Sequence, residues 1–218
     1  MIFQASIEHS PLLSGSVDMI FTDPPYLREY LHTYGWLARE AARVLKPGGF
    51  VLAMCVGVHL NDVFRLFGKV DELSYYWLYQ LIMRDASSGV AWRHDGNGSA
   101  NPIAARAKHI IAYSKGKAIS RTATTGVLWD VGPDKRYHHW GQAVGACRYY
   151  IDCFTAPGDL VYDPFIGGGT TAVACELSGR RWIASDTDPV ALETTRKRLA
   201  GEFLPRAVTL FDMAELER

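Results

Sequence analysis

The run from Leu160 to Asp186 admits few folds. Leu160-Val161-Tyr162 is a short apolar strand, and Asp163-Pro164-Phe165-Ile166-Gly167-Gly168-Gly169-Thr170-Thr171 is a glycine-rich turn. Ala172 to Leu177 opens a helix. Trp182-Ile183-Ala184-Ser185-Asp186 is a second strand, ending in an acid about 20 residues after the glycines. Strand, glycine turn, helix, strand and acid, in that order, is the layout of a nucleoside site on an α/β sheet. Glycines let a ligand approach the backbone, the helix N-terminus offers N–H groups, and the acid can take both ribose hydroxyls.

The turn also narrows the nucleoside. The dinucleotide pattern G-x-G-x-x-G is absent, because Thr170-Thr171-Ala172 follow the glycines, and the P-loop pattern G-x-x-x-x-G-K-[ST] is absent too. Asp163 opens the turn, where it would repel a pyrophosphate and suits a cationic amine. A ligand with a ribose, an amino-acid head and no phosphate is S-adenosylmethionine. A plain tight turn is the alternative for three glycines standing alone.

A second stretch lies far upstream. Val17 to Phe21 is apolar apart from Asp18 and reads as a short buried strand. Then come Asp23 and two prolines. Neither Pro24 nor Pro25 has an N–H to give to a ladder, so the strand must stop. Each also biases the residue before it towards an extended conformation. The result is a stiff tetrapeptide at the carboxyl end of a strand, the edge where open α/β sheets bind ligands. It offers the Asp23 carboxylate, a Pro24 carbonyl that the sheet does not need, and the Tyr26 ring. Together these suit a flat group carrying an NH₂. An ordinary turn is the alternative for four residues taken alone.

The 218 residues fit one domain, 1–218, with 48% apolar and 21% charged residues. No apolar run reaches the ~18 residues of a membrane span. Gln4 and Glu8 stand where a signal peptide would have its basic flank and apolar centre, so secretion is not expected. Of Cys55, Cys147, Cys153 and Cys175, no two form a C-x-x-C pair, and three sit in apolar-periodic stretches as small core residues. That suits a reducing cytoplasm and gives no metal site. Net charge is zero, but Arg84 to Trp140 holds nine basic and four acidic residues, a local +5 that could face phosphates or be simple loop charge.

Elsewhere, Met1 to Glu8 could form a strand, and Leu31 to Leu45 has helical spacing closed by Lys46-Pro47-Gly48-Gly49. Phe50 to Val56, Tyr75 to Met83 and His109 to Ser114 read as strands, and Leu60 to Phe67 and Ala143 to Phe154 as helices. Ala86 to Pro102 is a long polar loop without packing period, a length that is usually functional or mobile. Ala118 to Tyr137 has no clear period and reads as a small extra element.

Asp23-Pro24-Pro25-Tyr26 together with Asp163-Pro164-Phe165-x-Gly-x-Gly-Thr-Thr resembles the amino-group DNA methyltransferases, adenine-N6 and cytosine-N4 type. It is most similar to the permuted beta class, in which the catalytic motif precedes the cofactor motif. The resemblance runs from Val17 to about Phe211. His138 to Val144 is similar to the segment before the cofactor turn, where the family pattern is His-Pro-x-x-Lys-Pro; this chain has Gln142 for the lysine and Ala143 for the second proline.

The resemblance implies a Rossmann-like methyltransferase fold with seven strands, mostly parallel with one antiparallel. It implies S-adenosylmethionine as cofactor, contacted by Asp163, Phe165, Gly167, Gly169, Thr170, Thr171, Asp186 and Gln142. It makes Asp23, Pro24, Pro25 and Tyr26 catalytic: Asp23 and the Pro24 carbonyl accept hydrogen bonds from an exocyclic amine, and Tyr26 stacks on the base. The implied partner is DNA, with the base flipped out, target recognition at 86–102 and 118–137, and room for a homodimer. In this family Asp-Pro-Pro-Tyr goes mainly with adenine N6, and cytosine-N4 enzymes more often begin with serine. A restriction–modification role follows from the same likeness. A cytosine-N4 enzyme, a non-catalytic DNA-binding subunit of the same fold, and methylation of RNA or a protein amide are the alternatives.

Overall fold

In a computed structural model of the chain, residues 1–83, 107–118, 124–131 and 144–201 are described. The centre of the sheet is β2 (Val17–Thr22), parallel on one side to β3 (Leu45–Cys55) and on the other to β7 (Leu160–Asp163). Helices cover both faces, so a near-continuous apolar run is what this strand needs. Its one charge, Asp18, receives Lys46 Nζ at 2.7 Å and the Leu160 N–H at 2.9 Å.

The remaining strands are β1 (Ile2–Gln4), β4 (Leu73–Met83), β5 (Ala107–Lys115), β6 (Val127–Val131) and β8 (Arg181–Asp186). Among the described residues the order across the sheet is β1-β8-β7-β2-β3-β5-β4-β6, and only β5 runs antiparallel to its neighbours. The expected single antiparallel strand is present. Among the described residues the sheet has eight strands where seven were expected, and the additional one is β6, inside the 118–137 stretch that shows no period. Its pairs are Gln80↔Val127 and Leu81↔Leu128 at the sheet edge. An edge strand so short is held by its partner's ladder, not by an alternating pattern of its own.

On one face, α1 (His32–Val44) and α2 (Leu60–Phe67) bring Tyr34, Leu37, Ala41 and Val63 against Ile20, Val51, Ala53 and Ile111. On the other, α3 (Val144–Phe154) and α4 (Thr170–Leu177) bring Tyr150, Ile151, Ala174 and Cys175 against Met19, Phe21, Leu52 and Ile110. Alternate residues of β2 thus feed opposite cores. The end of α1 falls where Lys46-Pro47 predicts it, but β3 begins earlier than expected, at Leu45. Its register slips from Val17↔Leu45 to Met19↔Phe50, so Lys46 to Gly49 is an irregularity within the strand. Gly49 is required there: a Cβ would lie 2.7 Å from the Asp18 carbonyl oxygen.

A last helix, α5 (Pro189–Leu199), was not read from the sequence, although its start signal is present. Asp188 caps it, accepting the Val190 N–H at 2.8 Å, and Pro189 occupies its first turn. All four cysteines are buried, and burial pushes the thiols of Cys55 and Cys147 up to about 12. They are core residues. Among the described residues no helix is long and apolar enough to cross a membrane, and no cluster of ligating side chains could hold a metal.

Candidate active site

The strand order reverses between β2 and β7. From β2 the chain crosses through α1 to β3 on one side, and from β7 through α4 to β8 on the other. The crevice outside the carboxyl ends of such a pair is where open α/β sheets hold ligands. Both sequence motifs begin at those ends. Asp23, Pro24, Pro25 and Tyr26 share one cavity of about 550 Å³ with Asp163, Phe165, Gly167, Thr170, Thr171 and Asp186. That volume is ordinary for a small-molecule site.

On the β2 side the ladder ends at Thr22, and the next four residues form no strand, as two prolines demand. Pro24 is buried, Asp23 and Tyr26 are half-buried, and Pro25 is exposed. Lys108, near the start of β5, reaches across: its Nζ donates to Asp23 Oδ2 at 2.8 Å and stands 4.6 Å from the Tyr26 ring centre. Nothing in the spacing of the sequence pairs Lys108 with Asp23, and the contact was not foreseen.

On the β7 side Asp163 is only 4% exposed. Burial outweighs the lowering hydrogen bonds from Thr171, Thr22 and the Phe165 N–H and leaves its carboxyl raised to about 6. Thr22 Oγ1 donates to its Oδ1 at 2.6 Å. This partly recasts Asp163: the same oxygen that faces Thr22 also takes the Phe165 N–H at 3.1 Å, so the residue braces the turn from within.

The glycine turn is held from both sides. Asp186 Oδ2 accepts the Gly167 N–H at 3.0 Å, while its Oδ1 accepts the Asp188 N–H at 3.0 Å. From α5, Thr195 Oγ1 donates to the Gly167 carbonyl at 2.9 Å, and Arg198 donates to the Gly168 carbonyl at 2.7 Å and to Thr170 Oγ1 at 3.1 Å. Gly169, at φ +80°, precedes α4, and a Cβ there would lie 2.9 Å from the Thr195 side chain. Thr195 and Arg198 were missed by sequence reasoning because α5 was; the Asp188-Pro189 start signal would have found the helix. Gln142, the 86–102 loop and much of 118–137 lie outside the described residues.

A family model described as DNA methylase matches residues 127–197. The type II methyltransferase M2.DpnII of Streptococcus pneumoniae is 24% identical over 234 residues, covering 88% of this chain and 86% of that protein. Among solved structures, the M1.HpyAVI–SAM complex superposes with a TM-score of 0.71 at 20% identity, covering 91% of this chain and 98% of that one. The cytosine-N4-specific PvuII DNA methyltransferase superposes with a TM-score of 0.75 at 16% identity, covering 98% and 89%. In sequence the chain resembles the amino-group DNA methyltransferases, and its α/β fold is the one these methyltransferases share.

Proposed function

We propose that this protein transfers a methyl group from S-adenosylmethionine to the exocyclic amine of a flipped DNA base, adenine N6 in the favoured case. The observation that carries this is the single cavity bringing Asp23-Pro24-Pro25-Tyr26 to the edge of the glycine turn. The residues present fit the cofactor. Asp186 stands at the end of β8 with both carboxylate oxygens fixed by backbone N–H groups, which orients it and leaves a further lone pair on each for hydroxyls. The turn is glycine where a backbone must be approached closely, and no phosphate-binding pattern is present.

S-adenosylmethionine, when bound, supplies an electrophilic methyl carbon. The chain's own residues prepare the acceptor. An aromatic amine is a poor nucleophile because its lone pair is delocalised into the ring. Asp23 and the Pro24 carbonyl hold its two protons, draw the nitrogen towards tetrahedral geometry and offset the positive charge that develops there. Tyr26 supplies the face that the flipped base loses from its stack. Transfer is direct, which suits a chain whose thiols are buried and held protonated. Adenine is favoured over cytosine because the tetrapeptide starts with aspartate.

The test is incubation of the wild type and Asp23→Ala with labelled S-adenosylmethionine and unmethylated DNA, RNA and protein, followed by digestion to nucleosides. Label on N6-methyladenine in DNA, lost in Asp23→Ala by a factor of about 10²–10³, is the expected result. Label on N4-methylcytosine would move the base assignment, and label confined to RNA or protein would overturn the DNA substrate.

A further inference from the structure

Lys108 enters none of the roles above, yet it contacts both side chains assigned to the target base. Its Nζ lies 2.8 Å from Asp23 Oδ2 and 4.6 Å from the centre of the Tyr26 ring. Its side chain is 11% exposed and that of Asp23 21%, so the pair is withdrawn from water. We propose that Lys108 is a place-holder for the target amine, donating to Asp23 and covering Tyr26 until a flipped base displaces it. This role rests on the base-methylation reading and extends it to what a base must overcome on entry.

The geometry argues for displacement and against a lasting contact. A base whose amine reaches Asp23 while its ring stacks on Tyr26 needs the space beside both groups, and the Lys108 ammonium already stands within contact of both. The charge argues the same way. The amine nitrogen becomes positive during transfer, and Asp23 is the carboxylate that offsets it. A cation kept within hydrogen-bond distance of that carboxylate would compete for the same field. Lysine can leave as few residues can, being a compact charge on a flexible four-carbon stem. In the meantime the ammonium offsets the charge of a half-buried carboxylate, and it stands over the aromatic ring at cation–π distance. Only a group that donates to Asp23 and presents a flat face to Tyr26 replaces both contacts at once. Lys108 thereby raises the requirement for entry, and bases lacking an amine meet it least well.

The experiment compares the wild type with Lys108→Met, which keeps the stem and removes the charge. Binding of oligo(dA), oligo(dC) and an abasic oligomer of equal length is measured by fluorescence anisotropy, with melting temperatures alongside. Loss of one positive charge weakens backbone binding of all three oligomers alike, so the informative quantity is affinity relative to the abasic oligomer. For the amine-bearing oligomer that the enzyme methylates, Lys108→Met should raise that ratio about tenfold, the effect of removing one competing charged hydrogen bond. An unchanged or lowered ratio in a variant that melts like the wild type overturns displacement. If Lys108→Met melts early, Lys108→Gln is measured in its place and judged by the same ratio. Wild-type methyl transfer to DNA is assayed in parallel. Its absence defeats the methyltransferase reading itself, whereas its presence with an unchanged ratio defeats only the role of Lys108.

Discussion

Thr22 Oγ1 and Asp163 Oδ1 are 2.6 Å apart, although 141 positions separate them in the chain. Thr22 is the last residue of β2 and Asp163 the last of β7, and both are buried. The bond therefore ties the strand carrying Asp23 to the strand carrying the glycine turn, one residue before each segment leaves the sheet. Thr22→Val keeps the shape and removes the donor. It should lose about 1.5–3 kcal/mol, as for a hydrogen bond to a charged group. Urea unfolding measures this, and Thr22→Ser should restore most of it. An unfolding midpoint equal to the wild type's would mean that the two strand ends are held without this bond.

Asp163 gives a pH dependence of definite sign. Its folded carboxyl is raised from 3.8 to about 6, chiefly by burial. The folded state therefore binds more protons than the unfolded state in that window. The group's contribution to stability is fully present below 3.8 and is lost as pH rises through about 6. Asp163→Asn does not titrate, and its amide oxygen can still accept from Thr22 and the Phe165 N–H. The variant should gain on the wild type as pH rises from about 4 to about 7. Denaturant titrations of both proteins across that range would show it, and a constant difference would place the Asp163 titration elsewhere.

Asp186 has two tasks that one substitution separates only in part. Asp186→Ala removes the acceptor of the Gly167 and Asp188 N–H groups as well as the proposed ribose contact. S-adenosylmethionine affinity should fall by about 1.5–3 kcal/mol in calorimetry. Asp186→Asn keeps an acceptor for one backbone N–H, so it should recover folding more fully than binding. Unchanged affinity in Asp186→Ala would move the ribose contact to another acid, with Asp188 next to it.

Tyr26 distinguishes stacking from packing. Tyr26→Phe keeps the ring and should retain most activity. Tyr26→Ala should lose about 1–3 kcal/mol of base positioning without a matching drop in melting temperature. A mismatched, easily flipped target should recover part of that loss. Equal losses on paired and mismatched duplexes, with a lowered melting point, would make Tyr26 a packing residue.

Gly169→Ala tests the turn. A Cβ at φ +80° is strained, and it would lie 2.9 Å from the Thr195 side chain. Destabilisation of about 1–3 kcal/mol is expected. Adding Thr195→Ala should relieve the clash but not the backbone strain, so rescue measured by thermal unfolding should be partial. Full rescue would assign the whole cost to crowding.

Local rules were enough for much of this. Two prolines after an apolar run stop a strand wherever it lies, so the end of β2 at Thr22 was legible from Asp23-Pro24-Pro25. Glycines followed by a helix and a strand ending in Asp186 likewise specify a βαβ unit, because backbone freedom and hydrophobic period act over a few residues. The Asp188-Pro189 start of α5 is an equally local signal. What no short-range rule contains is which strand lies beside which. β2 and β7 became neighbours because their apolar faces are buried between the same helix layers, and that contact set the crevice, the Thr22–Asp163 bond and the meeting of the two motifs. β6 joined as an eighth strand because β4 had an open edge to pair. Lys108 reached Asp23 only because β5 runs antiparallel beside β3, which brings the first residues of one strand to the carboxyl ends of the others. Those relations depend on sheet pairing between distant segments, and the fold alone decided them.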